Sequence, residues 1–280
     1  MTTAHRDHPL FRRYPLDGEV QLSTGPAPTP YHVYAGYGAF IGGHADAAGV
    51  ADVLRPESIR PLLDTQGRAL MGVWALDFTE ASLGPHQEVQ VSFFVTRGHA
   101  QPVRAGRMAA TEAFFKIPNA RLFCHGLWNS TTRVVAYNRE HLGLNARLAE
   151  HAVSRANGRL RVEVPAGADT PGVRGDLLVG RASLRASFEF ANRLGFGEAQ
   201  RLAARPWVEM KVVNPIGLRP HNDAALTGTH NAVNVLRGFD PRRESLTLSG
   251  PGYAGLDFRP TYVQQMEGFL FVYLDPAEDP

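Results

Sequence analysis

The sequence predicts an α+β, mainly β protein: a closed antiparallel β-barrel or sandwich with a few peripheral helices. Three observations predict this fold class. Short segments of alternating or continuous apolar residues recur along the chain, whereas helical periodicity is rare. The 28 Gly and 20 Pro residues mark turns between these segments. The chain of 280 residues is long enough to bury a full core, and it has no internal repeat.

The elements are predicted in chain order. Residues 1–30 end in the Pro-rich "STGPAPTPY" and are expected to form an irregular N-terminal arm over a single domain of residues 31–280. The segment "HADAAGVADVLRPESIRPLL" predicts a helix that Pro56 breaks, and a short helix is expected over 138–153. The main predicted strands are "EVQVSFFV", "ARLFCHGLW", "TRVVAY", "GRLRVEV", "ASLRASFEF", "PWVEMKVVN", "HNAVNVLRGF", "SLTLSG" and "FLFVYLD".

Composition restricts the class of partner. A formal net charge of only +2 gives no reason to expect nucleic acid or an anionic membrane as a partner. The single cysteine, Cys124, excludes an internal disulfide and a thiolate-rich metal site, which suits a reducing cytoplasm. The N-terminus lacks an apolar signal region, and no segment approaches 18 uninterrupted apolar residues. We therefore expect a cytoplasmic protein.

The 11 histidines raise the question of a metal site. The segment "RPHNDAALTGTH" supplies His221, Asp223 and His230, but a loop and a strand separate them. No short motif fixes three ligands in a known arrangement. We therefore expect neither a metal nor a cofactor.

Glu88 is the first candidate catalytic residue. In "SLGPHQEVQVSFF" a Gly84-Pro85 turn precedes His86 and Glu88, which share one face of the predicted strand while Val89 begins the other. If the Glu88 face lines the interior, burial raises the carboxyl pKa and the group can act as a general acid or base. The alternative is a solvent-exposed carboxylate at a strand edge.

Lysine chemistry has few candidates, because only Lys116 and Lys211 are present. Lys211 shares a strand face with Glu209, which favours a surface ion pair. Lys116 lies in the apolar segment "AFFKIPN", where burial could lower the amine pKa or where only its aliphatic stem is buried.

An ordered series of segments resembles the acetoacetate decarboxylase superfamily, from about Pro30 to Leu274. The series comprises "PYHVYAGYGAFIGGHAD", "LRPESI", "LGPHQEVQVSF", "CHGLW", "VVAYNREHLGL", "NGRLRVEV", "ALTGTHNAVNV" and "FLFVYLDP". The segment "TRGHAQPVRAGRMAATEAFFKIP" looks like an insertion. The resemblance implies a closed antiparallel barrel with helices outside, a site in its interior, and assembly into a homo-oligomer.

The same resemblance identifies a lost lysine. Decarboxylases of this family attack a β-keto acid with a lysine amine to form a Schiff base. When the Arg139-Glu140 step is matched to the family motif, the Schiff-base lysine falls at Ala146 and its partner lysine at Arg147. Alanine has no nucleophile and a guanidinium stays protonated, so Schiff-base decarboxylation is not expected.

The other family positions are matched unevenly. The catalytic glutamate falls at Glu88 and is retained. The substrate-side arginine falls near Gly36 and a second acidic position near Val73, so neither is retained.

These residues predict a lysine-independent acid/base lyase, dehydratase or cyclase. Its substrate would be a small β-keto or dicarbonyl compound, of polyketide-like or secondary-metabolite type, bound inside the barrel. Glu88 would be the general acid/base, Arg147 would bind an enolate or carboxylate, and His86 would assist. The candidate substrate-binding residues comprise further donors and apolar walls: His125, Tyr137, Asn145, Trp128 and Phe94.

Two alternatives remain from the sequence. A β-keto acid decarboxylase could use Lys116 or Lys211 in place of the lost lysine. A non-catalytic barrel could bind a small ligand, and Arg147 would then be a solvated residue or an ion-pair partner of Glu150.

Overall fold

The structure is a computed structural model that describes residues 6–181, 183–215 and 223–274, except for the side chains of 223–233. The helices are α1 (Pro9–Arg13), α2 (Ala47–Leu54), α3 (Ala109–Lys116), α4 (Thr132–Ala136), α5 (Leu184–Leu194) and α6 (Phe196–Ala204). The first strands are β1 (Gly18–Leu22), β2 (Gly25–Thr29), β3 (Tyr31–Ala45), β4 (Arg60–Pro61), β5 (Ala69–Ala81), β6 (His86–Thr96), β7 (Arg121–Asn129) and β8 (Ala146–Leu148). They are followed by β9 (Val153–Ala156), β10 (Arg159–Val164), β11 (Gly172–Leu178), β12 (Glu209–Val213), β13 (Asp223–Gly238), β14 (Ser245–Ser249) and β15 (Arg259–Tyr273). Within the described ranges, the helices lack the length and apolar character that a membrane span requires.

One large sheet organises the molecule and confirms the mainly β prediction. Its strand order is β4-β6-β5-β3-β15-β13-β12-β7-β8, and β6 also pairs with β7. The seven strands β6, β5, β3, β15, β13, β12 and β7 therefore form a continuous cycle, in which every strand is hydrogen-bonded to two neighbours. The pairings of β7 with β12 and with β8 are parallel, so the expectation of a purely antiparallel sheet was wrong. Helix α4 lies between β7 and β8 and reverses the chain, which lets the second strand run in the same direction as the first.

The alternation of β6 creates two different faces. Val89, Val91 and Phe93 belong to one apolar cluster, which the four-stranded sheet β14-β11-β10-β9 and helix α2 cover. We call this the covered face. Glu88 and Phe94 lie on the opposite side of the strand, which we call the inner face, and Phe94 joins a second apolar cluster with residues of α3 and α4. Burying each Val or Phe side chain stabilises the fold by about 1.5–3 kcal/mol, so the covered face is the main apolar core of this strand.

Residues 9–29 form helix α1 and strands β1 and β2, so the irregular structure expected for this part of the N-terminal arm was wrong. Leu10 and Phe11 of α1 pack with Leu270 and Val272 of β15. The His8 imidazole caps the helix by accepting from the Leu10 backbone N–H. Strands β1 and β2 form a separate hairpin. The division of the chain at residue 30 remains a prediction.

Three segments differ in secondary structure from the prediction: two expected strands form helices, and one expected helix largely does not form. The segments 132–137 and 182–190 were expected as strands, but helices α4 and α5 form there instead. The side chains of Thr131 and Ser183 cap the first turns of these helices. A helix was expected over 138–153. In the structure, helix α4 continues only into a π-helical turn, Tyr137–His141, and no helix follows it in this fully described range. Gly143 then takes a φ of 71°, which turns the chain into β8.

Candidate active site

Glu88 is the central group of the inner face. Its side chain is 3% exposed, and its Oε2 accepts a hydrogen bond of 3.0 Å from Asn129 Nδ2. Asn129 lies opposite Glu88 in the β6–β7 pairing, and its Oδ1 accepts from Asn138 Nδ2 at 2.8 Å. Burial raises the Glu88 pKa from 4.5 to about 7, although the Asn129 hydrogen bond partly opposes this rise. The expected interior carboxyl is therefore present, and its proton is exchangeable near neutral pH.

A small cavity of about 20 Å³ adjoins the Glu88 carboxylate. Gln90, Phe271 and Tyr273 are among the side chains that line it. This volume holds about one water molecule. Burial, followed by the negative charge of Glu88, raises the pKa of Tyr273 well above its usual range. The Tyr273 hydroxyl is consequently a proton-bearing donor beside an ionisable carboxylate.

His86 forms a hydrogen-bonded pair with Tyr31. The Nδ1 atom of His86 lies 2.9 Å from the Gly84 carbonyl oxygen, which can only accept, so this nitrogen carries the proton. Nε2 therefore accepts from the Tyr31 hydroxyl at 2.8 Å. Burial lowers the His86 pKa to about 4. His86 is thus neutral at physiological pH and orients Tyr31, rather than acting as a charged group.

A second, larger cavity of about 540 Å³ adjoins the small one. Trp74, Leu122 and Met210 line both cavities. Helices α5 and α6 contribute to the outer wall of the large cavity through Phe190 and Ala199 among others. Trp74 Nε1 is buried and has no hydrogen-bond partner within the described part of the chain. The Trp74 side chain therefore lies at the junction of the two cavities and carries a buried N–H group without a partner among the described residues.

The structure does not bring Arg147 and Glu88 together. Arg147 pairs with Trp128 in the β7–β8 register, and Trp128 pairs with Val89 on the covered face. Neighbouring positions in paired strands share a face, so Arg147 and Trp128 lie on the side of the sheet opposite Glu88. The predicted joint action of Arg147 and Glu88 on one substrate, and the use of Trp128 as a wall beside Glu88, were wrong in geometry. Ala146 is fully buried and faces the inner side, where it contributes only a methyl group.

His125 also belongs to the covered face. It lies at a register shift between β6 and β7, and its ring packs 5.3 Å from Phe93 and 5.4 Å from Tyr253. Burial, followed by the positive charge of Arg147, lowers the His125 pKa to about 4. The β-bulge reverses the direction that simple alternation would give this side chain, so its predicted place beside Glu88 was wrong.

Of the three other predicted residues, Phe94 and Tyr137 belong to the inner-face cluster. Phe94 lines the large cavity. Tyr137 is fully buried in the inner cluster, with its ring centroid 5.8 Å from that of Tyr31. Asn145 is half-buried immediately before β8. The structure thus brings Glu88, His86 and Tyr137 to one side of the sheet, while the role of each remains a prediction.

Neither lysine points into the cavity beside Glu88. Lys116 is exposed on α3 and pairs with Glu112 at 3.3 Å. Lys211 is exposed on β12, where its neighbours Met210 and Val212 point the other way and line the small cavity. This placement gives no support to a decarboxylase that uses a relocated lysine.

The segment that was considered for metal ligands, and from which no metal site was expected, lies largely outside the described residues. His221 is outside the described residues. Asp223 and His230 belong to strand β13, but their side chains are among those that the structure does not describe. In the described ranges, no group of three or more His, Cys, Asp or Glu side chains could hold a metal ion.

Several inner-face residues were missed by sequence reasoning. Asn129 could have been found from the strand register, because it is the residue that β7 places opposite Glu88. Trp74 and Tyr273 come from β5 and β15, and only the pairing of distant strands brings them to Glu88. Their sequence segments carry no local signal of this function.

Comparisons with known proteins identify the fold. No known family profile matches the sequence, and no curated protein matches it. Acetoacetate decarboxylase from Legionella pneumophila superposes with a TM-score of 0.56 at 12% identity, over 93% of this chain and 90% of that one. A second acetoacetate decarboxylase structure gives 0.53 at 13% identity, over 89% and 88% of the two chains. The enduracididine biosynthesis enzyme MppR, solved with pyruvate, gives 0.50 at 9% identity over 90% of each chain. The chain therefore has the fold of the acetoacetate decarboxylase-like superfamily, as the resemblance predicted.

Proposed function

We propose that this protein is a lysine-independent enzyme that moves a proton on a carbonyl compound, with Glu88 as the general acid/base. The observation that carries the proposal is a fully buried carboxyl group with a pKa of about 7, fixed by Asn129 beside a cavity. A base with a pKa near the working pH combines a useful ionised fraction with proton-transfer strength.

The proposed chemistry starts at the acidic carbon between or beside carbonyl groups. Ionised Glu88 accepts a proton from this carbon, and the C–H electron pair moves into the carbonyl to form an enolate. The Tyr273 hydroxyl, which lines the same cavity, donates a hydrogen bond to the developing oxyanion. This replaces the electrophilic role first assigned to Arg147, which lies on the other face.

The proton held by Glu88 then decides the outcome. In a dehydratase, the proton passes to the β-hydroxyl group, which leaves as water as its C–O bond breaks. In a cyclase, the enolate carbon attacks a second carbonyl, and the proton neutralises the alkoxide that forms. A lyase runs the reverse of that step: Glu88 accepts the hydroxyl proton, the C–C bond breaks to release a carbonyl and an enolate, and the proton is returned to the enolate carbon. We propose this reaction group on a β-keto or dicarbonyl compound, of polyketide-like or secondary-metabolite type. Two of the solved structures with this fold bear the names of enzymes of keto-acid chemistry or hold pyruvate, which supports a carbonyl substrate.

The setting of the reaction is part of the proposal. We infer that the cycle of seven paired strands forms a closed barrel whose interior is the inner face. A homo-oligomer in the cytoplasm, without a cofactor, remains the expected form of the protein.

The direct test is α-proton exchange in heavy water, followed by NMR on a panel of β-diketones and β-keto acids. Wild type, Glu88→Gln and the exposed control Glu163→Gln are compared. The proposal expects exchange in wild type and Glu163→Gln and its loss in Glu88→Gln. Exchange that is unchanged in Glu88→Gln would overturn it, and binding without exchange by any variant would favour a non-catalytic ligand-binding barrel.

A further inference from the structure

The two adjoining cavities differ in size and in chemistry. The one beside Glu88 holds about one water molecule at about 20 Å³, whereas its neighbour measures about 540 Å³. The larger volume is typical of sites for ligands the size of a drug molecule. A substrate can therefore bring only a group about the size of one water molecule next to Glu88 unless the wall residues move, and the large cavity has room for a substantial remainder.

The walls of the large cavity indicate what that remainder is. Most of the lining is apolar and includes Phe94, Phe114, Phe190 and Met266. Its charged side chain, Arg205, is exposed on the solvent side of the molecule. Apolar surface of this kind favours an alkyl or aromatic tail, because each methylene group removed from water contributes about fourfold to binding. The buried carboxylate of Glu88 next to the cavity disfavours a negative charge on the reacting end.

Trp74 provides a specific contact at the boundary. Its ring packs 4.3 Å from that of Phe40, and its Nε1–H has no hydrogen-bond partner among the described residues. In the β5–β6 register Trp74 is opposite Gln90, and this pair is two positions from the Leu76–Glu88 pair, so both pairs lie on the same face. A buried donor without a partner is costly, so a ligand oxygen that accepts from it is favoured.

We propose that the substrate is an uncharged β-dicarbonyl compound with an apolar tail, and that Trp74 binds its second carbonyl oxygen. The reacting carbon lies beside Glu88, and the tail occupies the large cavity behind Trp74. Met210 lies in the shared wall and has an adaptable unbranched side chain, so it allows the head group to pass between the cavities. The identity of the reacting end rests on the proposed function of Glu88; the tail cavity does not.

The tail is tested by a series of uncharged β-diketones: acetylacetone, benzoylacetone and a hexyl-tailed analogue, with the hexyl-tailed β-keto acid as the charged probe. Affinity is measured by calorimetry and turnover by α-proton exchange. The proposal expects the phenyl and hexyl compounds to bind at least tenfold more tightly than acetylacetone and the keto acid. Equal affinities across the series, or no binding of any tailed compound, would overturn it.

Two alanines of α6 give a matched pair of variants for the cavity. Ala199 lines the large cavity, whereas Ala204 is exposed on the same helix. Ala199→Trp is expected to remove the preference for tailed compounds, and Ala204→Trp to retain it. If both variants keep the preference, the tail does not lie in this cavity and the proposal fails.

Trp74→Phe tests the contact at the boundary. It keeps an aromatic ring against Phe40 and removes only the N–H donor, so diketone affinity is expected to fall about three- to tenfold while tail preference persists. Affinity that is unchanged would contradict the assigned contact. Failure of the two proposals is distinguishable: tail-dependent binding with exchange unaffected by Glu88→Gln rejects Glu88 as the base, whereas Glu88-dependent exchange without tail preference rejects the tail cavity.

Discussion

Alternate residues of β6 point to opposite faces of the strand, and the two faces have different environments. On the covered face, Val89, Val91 and Phe93 pack against a second sheet and are fully buried among apolar side chains. On the inner face, the same strand places Glu88 beside the small cavity, which shares wall residues with the large one. One face is packed to support the fold, and the other retains space and an ionisable group.

The difference teaches where a buried charge is tolerated. A carboxylate without partners in an apolar core is strongly unfavourable. On the inner face, the hydrogen bond from the Asn129 amide and the adjacent cavity reduce the free-energy cost of burying the Glu88 carboxylate. The desolvation cost that is left raises the Glu88 pKa. Arg147 was also predicted to be a catalytic residue. It instead lies half-buried on the covered face, near His125.

The largest expected effect on stability comes from Phe93 and Phe94, adjacent residues on opposite faces. Phe93→Ala opens a cavity in a close-packed cluster and should lower the free energy of unfolding by about 3–5 kcal/mol. Phe94→Ala enlarges a cavity that already exists and should cost at least about 1 kcal/mol less. Urea denaturation of both variants measures the difference. Equal losses would mean that the inner face is packed as tightly as the covered one.

The next effect is the pH dependence of stability that Glu88 causes. The carboxyl group ionises near pH 4.5 in the unfolded chain and near pH 7 in the folded protein. Between these values the unfolded state releases its proton first, so stability falls as pH rises, by an amount on the order of 3 kcal/mol in total. Glu88→Gln should therefore be more stable than wild type above pH 7 and gain little below pH 4.5. A stability difference that is the same at pH 4 and pH 8, measured by denaturation, would contradict the raised pKa.

The smallest effect concerns the hydrogen bond that Asn129 donates to Glu88. Removing it in Asn129→Ala should move the Glu88 pKa further upward, because the bond favours the ionised form. The midpoint of the rate against pH should shift to higher pH. Asn138→Ala is the comparison, because Asn138 acts only through Asn129 and should shift the midpoint less. An identical midpoint in wild type and Asn129→Ala would show that the amide does not act on the carboxylate.

Alternation along β6 predicted that Glu88 lies on the face opposite Val89, but it left open whether that face is the interior or the solvent side; the structure shows that Glu88 is buried. The alternation of polar and apolar residues in "EVQVSFFV" indicates which side chains share a face. The order of the family-like segments along the chain predicted the fold. The segment "REHLGLNARL" has good helix formers, but Gly143 and the pairing with β7 override that propensity and make Arg147 a strand residue. Val134 and Val135 suggested a strand, whereas the Thr131 cap begins a helix.

The rest of the site could not be predicted from local patterns. Trp74, Glu88 and Tyr273 are contributed by three separate strands, and the cavity between them is a consequence of the whole sheet. The β7 bulge turns His125 away from the direction that alternation assigns to it. Register and bulges depend on tertiary pairing, which a single sequence does not display.

The most direct test of the account compares Glu88→Gln with Arg147→Gln in α-proton exchange, on the β-diketone that the wild type exchanges fastest. These two residues lie on opposite faces, so only one can act in the cavity. The account predicts a loss of about a hundredfold to ten-thousandfold for Glu88→Gln and less than about a twofold change for Arg147→Gln. Loss of exchange in Arg147→Gln with retention in Glu88→Gln would contradict it.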